Sequence, residues 1–280
     1  MPNSNQGSKK PGFLEHANIQ YPIICGAMYP CSNPELIASV SREGGLGVIQ
    51  PLSMVYAHRH DFTKGMELMR SITDKPFGMN ILVEKSTSVY QKRMVEWMDI
   101  ALKYGVRFFI TALGNPSWVI EKVKPFGGVV YHDVTEAKWA EKAVRAGVDG
   151  LICVNNFAGG HAGTKTPEQL YRDLSSFQLP LICAGGVGDP QKFRAMLDLG
   201  YQGVQMGTRF IATTESKAHN DYKQAIVKAH SENIVLTEKI SGVPVSVINT
   251  PYVERTGIKA GWLARRLLKH RKFKHWMRLY

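Results

Sequence analysis

Long apolar runs are missing from this 280-residue chain, and none approaches the length of a membrane-spanning helix, which excludes an integral helical membrane protein. Cysteine is scarce. Cys25, Cys31, Cys153 and Cys183 form no CxxC pair and no His/Cys cluster at zinc spacing, so neither a disulfide scaffold nor a metal centre is expected. Three of the four lie in short apolar runs and read as small buried hydrophobes, with a reducing cytoplasm as the expected setting. The first ten residues lack the apolar core of a signal peptide. Acidic residues are absent from positions 255–280, which hold nine Lys/Arg. The remaining 254 residues carry 26 basic and 23 acidic side chains, so most of the net charge of +12 belongs to the tail. No RNP-like or helix-turn-helix pattern accompanies that charge, which argues against specific nucleic-acid recognition.

What is present is an ordinary globular composition, 44% apolar and 21% charged, at a length that can bury a large core. One pattern recurs: a helical stretch ends in Gly and a short β-branched run follows. It occurs at Ser41–Ile49, Lys103–Thr111, Arg145–Cys153 and Leu199–Met206. Gly stops a helix in the left-handed conformation, and a fully buried parallel strand needs only a few apolar residues. Strands are expected at 19–25, 46–49, 76–82, 107–111, 128–131, 150–154, 179–184 and 203–206. Helices are expected at 34–43, 167–175 and 190–199, after the N-cap residues Asn33, Thr166 and Asp189. Eight strands alternating with helices predict a (β/α)8 TIM barrel over residues 13–231. A doubly wound sheet would show a GxGxxG turn after its first strand, and Gly26-Ala-Met-Tyr-Pro30 is not one. A C-terminal extension, 232–280, is expected to follow a helix at 216–230. It would be irregular through Thr256 and end in a basic amphipathic helix over 263–280, with Phe273, Trp276, Met277 and Tyr280 on one face.

In a barrel, function sits on the loops after the strands. After the seventh strand comes Ala184-Gly185-Gly186, and after the eighth Met206-Gly207-Thr208-Arg209. Glycines there turn backbone N–H groups toward a ligand, and the following helix N-termini add a positive dipole, the arrangement of a phosphate cradle. Arg209 is a candidate phosphate partner or a solvated helix-start residue. After the sixth strand, Ala158, Gly159, Gly160, Ala162 and Gly163 surround His161. Small residues allow close approach of a flat ligand, and the imidazole can exchange a proton near neutrality. Asn80 ends the third strand, where its amide bonds a ligand or caps a turn. Ala27 and Met28 after the first strand suit a ring edge. His132 and Asp133, at the end of the fifth, rank second. The residues themselves point to FMN or another phosphorylated planar ligand.

Pro22-Ile-Ile-Cys-Gly-Ala-Met28, Pro76-Phe-Gly-Met-Asn80, Ala158-Gly-Gly-His-Ala-Gly163, Ala184-Gly-Gly186 and Gly203-Val-Gln-Met-Gly-Thr-Arg-Phe210 together resemble the nitronate monooxygenase (2-nitropropane dioxygenase-like) family. Flavin-dependent enoyl-acyl-carrier-protein reductases share these motifs. The resemblance implies non-covalent FMN, no metal, and FMN contacts from Asn80, Gly159, Gly186, Gln205, Met206, Gly207 and Thr208, with Gly185 close by. It assigns catalysis to His161. It implies oxidation of alkyl nitronates with O2 to a carbonyl compound and nitrite. The alternative is transfer from NAD(P)H to an enoyl thioester or quinone. Two positions depart from the family: Val154 and Phe157 stand where many members carry Gln and Glu, with Asn155 and Asn156 as candidates for the missing amide. The chain after Gly163 is also shorter. A third reading makes the barrel a scaffold, with residues 255–280 docking an acidic protein or a membrane surface. A homodimer is left open by the sequence.

Overall fold

Eight short strands, parallel throughout, close into a barrel in the order β1 (Ile23–Cys25), β2 (Leu46–Ile49), β3 (Gly78–Leu82), β4 (Phe108–Ala112), β5 (Val129–Val134), β6 (Gly150–Val154), β8 (Leu181–Ala184) and β9 (Gly203–Met206). β7 (Gly160–His161) lies outside the barrel, between β6 and β8 in sequence. Pairing of Ile24 with Gln205 closes the ring. This is the (β/α)8 barrel that the repeated pattern predicts. The computed structural model describes residues 11–83, 88–239, 244–259 and 261. The helix expected over 263–280 lies outside them.

The largest differences from expectation fall at two strand ends. The first strand starts at Ile23 because the amides of Gln20 and Tyr21 both donate to the Gly44 carbonyl, which holds that segment in a turn. The fifth runs on to Val134 because Asp133 and Val134 pair with Ile152 and Cys153 of β6. The predicted helices occur at Pro34–Arg42, Pro167–Leu174 and Pro190–Leu199. Thr166 and Asp189 cap theirs by accepting from Gln169 N and Lys192 N. Asn33 does not cap its helix with its side chain. Its amide ties the loop after β1 to the segment after β9, donating to Glu215 O and accepting from Lys217 N.

Alternation along each strand separates two cores. Ile24, Leu46, Val48, Phe108, Ile110, Tyr131, Ile152 and Ile182 fill the barrel. Ile49, Met79, Phe109, Val130, Cys153, Cys183 and Val204 face the helices. The inner stack ends at the N-terminal side in Phe13, whose ring meets Phe108 at 5.9 Å, and Phe108 meets Tyr131 at 4.7 Å. Each such fully buried side chain stabilises the fold by about 1.5–3 kcal/mol. The plug closes one end of the barrel. The same alternation then dictates what faces inward at the open end: Asn80, Asp133, Val154, Ala184 and Gln205.

The stretch after residue 231, expected to be irregular, contains a hairpin of β10 (Ile234–Thr237) and β11 (Val245–Ile248). The helix expected over 216–230 spans Asn220–Lys228. Among the described residues no helix is long and apolar enough to cross a membrane.

Candidate functional site

The loop after β8 owes its glycines to two constraints at once. Gly185 and Gly186 have φ of 119° and 77°, a region L residues avoid. A Cβ on Gly185 would also lie 2.5 Å from Ala158 N and Asn155 Oδ1, and one on Gly186 would lie 2.9 Å from Phe157 Cβ. The loop after β6 therefore presses directly on the loop after β8. Similar contacts join the other loops. A Cβ on Gly159 would meet Thr208 Oγ1 at 2.7 Å, and one on Gly207 would meet Met28 Sδ at 3.2 Å. Met28 is held in place by its own backbone, which donates to Ser32 Oγ at 2.8 Å and accepts from Ser53 Oγ at 3.1 Å. Met28, Gly159, Gly185, Gly186, Gly207 and Thr208 thus come together at the mouth of the barrel. Ala27 packs half-buried beside the inner core.

The helix dipoles expected to help are weakened here. Asp189 already occupies the N-terminus of Pro190–Leu199, and the helix after Gly207 is only Thr208–Ile211. An anion here would be held by loop N–H groups and the Thr208 hydroxyl. Arg209 donates to the Gly188 carbonyl at 2.5 Å, tying the β8 and β9 loops together from the exposed side.

Asn155 is a bracket and does not replace the missing strand-six amide. It is fully buried, donates to the Gly185 carbonyl at 3.0 Å and accepts from Phe157 N at 2.8 Å. Asn156 keeps a buried Oδ1 without a partner. Beyond it, Gly160 (φ 77°) and His161 form β7. β11 pairs antiparallel with this short strand, Val245 opposite His161 and Ser246 opposite Gly160. Ser246 Oγ donates to the Ala158 carbonyl at 2.8 Å. The C-terminal hairpin therefore pins the histidine loop, and His161 remains exposed at the mouth. The alternating β-branched pattern Val245-Ser-Val-Ile248 was the available signal for β11.

The floor is set by strand parity. Gln205 faces inward, its Cγ where a Cβ on Gly26 would come within 2.9 Å, and its Oε1 is buried without a partner. Asn80 is 8% exposed and makes one long bond, 3.4 Å to the Ile110 carbonyl. Met206 turns its side chain outward into the helix-facing core, and its carbonyl accepts from Gly26 N, so a ligand at the mouth would meet its backbone and not its side chain. Val154 faces inward and brings no amide; Phe157 is exposed above Gly186.

His132 turns outward. Thr111 Oγ1 donates to Tyr131 O at 3.1 Å, so it accepts from His132 Nδ1 at 2.8 Å. Burial lowers the His132 pKa to about 4, which keeps it neutral. Asp133 points inward, its Oδ1 buried and unpartnered, and burial raises its pKa to about 7. All four cysteines are buried, and burial pushes every thiol upward, Cys183 to about 12. Nothing makes any of them a nucleophile near neutrality. Among the described residues no three His, Cys, Asp or Glu gather as a metal site.

The residues fit a phosphorylated planar cofactor: glycine loops too tight for a Cβ, a hydroxyl at Thr208, and an inward amide at Gln205 with a spare oxygen.

The sequence profile of nitronate monooxygenase matches residues 10–271. A (3aS,4S,5R,7aS)-5-hydroxy-7a-methyl-1-oxo-octahydro-1H-indene-4-carboxyl-CoA dehydrogenase from Rhodococcus jostii (strain RHA1) is 30% identical over 259 residues, covering 91% of this chain and 71% of the relative. A probable nitronate monooxygenase from Staphylococcus haemolyticus (strain JCSC1435) is 29% identical, covering 86% of this chain and 79% of the relative. Among solved structures, FabK from Thermotoga maritima superposes with a TM-score of 0.76 at 34% identity, over 86% of this chain and 75% of that one.

Proposed function

The chain belongs to the nitronate monooxygenase family, a family of oxidoreductases, and from that premise we propose that it is an FMN-dependent enzyme oxidising alkyl nitronates. The observation that carries the reading is the convergence of Met28, Gly159, Gly185, Gly186, Gly207 and Thr208 beside a histidine pinned at the barrel mouth.

Bound FMN would supply the electron acceptor, and O2 the terminal oxidant that yields carbonyl compound and nitrite. The chain's own residues supply the rest. Loop amides at Gly185, Gly186 and Gly207 and the Thr208 hydroxyl bind the phosphate. Ala27, Met28, Gly159 and Gly160 border the flat ring, with Asn80 and Gln205 as its polar contacts. His161 takes the α-proton of a neutral nitroalkane or steadies the nitronate charge. Its rigid backbone, paired to β11, holds the imidazole in one place through that step.

A second reading follows from β6. Val154 and Phe157 replace the family's Gln and Glu, and the relative from Rhodococcus is a dehydrogenase of a CoA thioester. A thioester or quinone, with NAD(P)H as electron source, uses the same floor. In that reading the Lys/Arg-rich sequence between 255 and 280 supplies positive charge for an acidic carrier or a phosphorylated substrate.

Anaerobic mixing separates the two. Bleaching of the flavin by propyl nitronate and not by NADH is expected from the first reading; bleaching by NADH alone would overturn it in favour of the second.

A further inference from the structure

Asp133 has no structural reason to be where it is. It sits one residue from the end of β5, opposite Ile152 of β6. Its alternation partner Tyr131 belongs to the inner core, so the carboxyl faces the barrel interior. Its Oδ1 is buried and has no hydrogen-bond partner. A carboxylate oxygen buried without a donor costs stability, and an apolar side chain there would remove that cost. No side chain on the neighbouring strands compensates. β4 brings Ile110 and Ala112 to the interior, and β6 brings Gly150, Ile152 and Val154. The titratable groups nearest in sequence and register are Tyr131, His132 and Cys153. Burial holds all three in their neutral forms at neutral pH. His161, in the loop after β6, is a further titratable group at this end.

Gln205 Oε1 and Asn156 Oδ1 are likewise buried without donors. In the barrel order β9 is three strands from β5, so Asp133 and Gln205 face the same mouth from nearly opposite sides. Acceptors that lack protein donors call for a ligand that brings its own. A flavin does so through its ring N–H and its side-chain hydroxyls.

We propose that Asp133 is a further cofactor-facing residue of this site, its carboxyl accepting a hydrogen bond from the bound flavin at the barrel floor. The inference rests on the FMN reading above. A donor at Oδ1 favours the ionised carboxylate, so the cofactor and a proton compete for this group. Release of that proton on binding makes FMN affinity rise with pH across neutrality.

The test is FMN titration of cofactor-free protein, followed by flavin fluorescence quenching, at about pH 6 and about pH 8. In the wild type, affinity is expected to rise about three- to tenfold between the two beyond the contribution of the FMN phosphate, whose own pKa is about 6. Asp133→Asn keeps an acceptor and cannot ionise, so it retains only the phosphate's pH dependence. Asp133→Leu binds more weakly at both pH values, while its cofactor-free melting temperature at about pH 8 equals or exceeds the wild-type value. An Asn variant with the wild-type pH dependence would overturn the proposal. So would a Leu variant that binds FMN like the wild type, or one that loses both melting temperature and FMN. Wild-type protein that binds no FMN at either pH would overturn the cofactor reading as well, which distinguishes the two failures.

Discussion

Replacing Gly185 by Ala adds one carbon at the point where two loops meet. Its φ of 119° strains any L residue, by about 1–3 kcal/mol. The new Cβ would lie 2.5 Å from Ala158 N and 2.7 Å from Ala158 Cα, which are backbone atoms that cannot swing aside. Overpacking of that kind costs a further ~1–3 kcal/mol. A chain of this size loses about 2–4 °C of melting temperature per kcal/mol, so the variant should melt roughly 4–24 °C lower. Two controls isolate the contributions. Gly127 has φ 72° with nothing within 4 Å of its Cβ, so Gly127→Ala carries backbone strain alone, about 1–2 kcal/mol. Gly188 has neither strain nor a neighbour within 4 Å, so Gly188→Ala should be neutral or stabilising by up to about 1 kcal/mol. Thermal melts by circular dichroism on cofactor-free protein rank the three. If Gly185→Ala melts together with Gly188→Ala, the β6 loop does not press on the β8 loop and the bracket built by Asn155 is wrong.

His161→Ala should lower turnover by about a hundredfold or more while the bound flavin spectrum persists; unchanged turnover would remove the histidine from the mechanism. Ser246→Ala deletes the bond to the Ala158 carbonyl. It should cost about 0.5–1.5 kcal/mol of stability and lower kcat with FMN affinity retained, and Ser246→Thr should restore both. The His132 pKa of about 4 lies below the ordinary 6.5, so between those values the unfolded chain binds a proton that the folded chain refuses. Stability should therefore fall as pH drops from about 6.5 to about 4, and urea unfolding of His132→Asn should show a flatter acid limb.

The barrel was legible because four of its repeats carry two local signals, a helix-stopping Gly and a short β-branched strand. The glycine loops were legible for the same reason: Gly185, Gly186, Gly207 and Gly159 stand at strand ends, where the backbone has to make room. What escaped depends on partners distant in sequence. β11 is stabilised by pairing with a two-residue strand some 85 positions earlier, so no local pattern announces its role at His161. Met206 belongs to a matching motif, yet strand parity turns its side chain away from the site. Asn155 stands where an amide was sought, and its hydrogen bonds are spent on Gly185 and Phe157. Asp133 ranked second at the end of a short apolar run, and pairing with Ile152 keeps it in the strand and aims it inward.

The central claim is that the mouth of this barrel is a flavin site. The visible absorption spectrum of the purified protein, reconstituted with FMN if necessary and then denatured, tests it directly. The account predicts a yellow protein that releases FMN in about a one-to-one ratio with the chain. A colourless protein that takes up no FMN would contradict it.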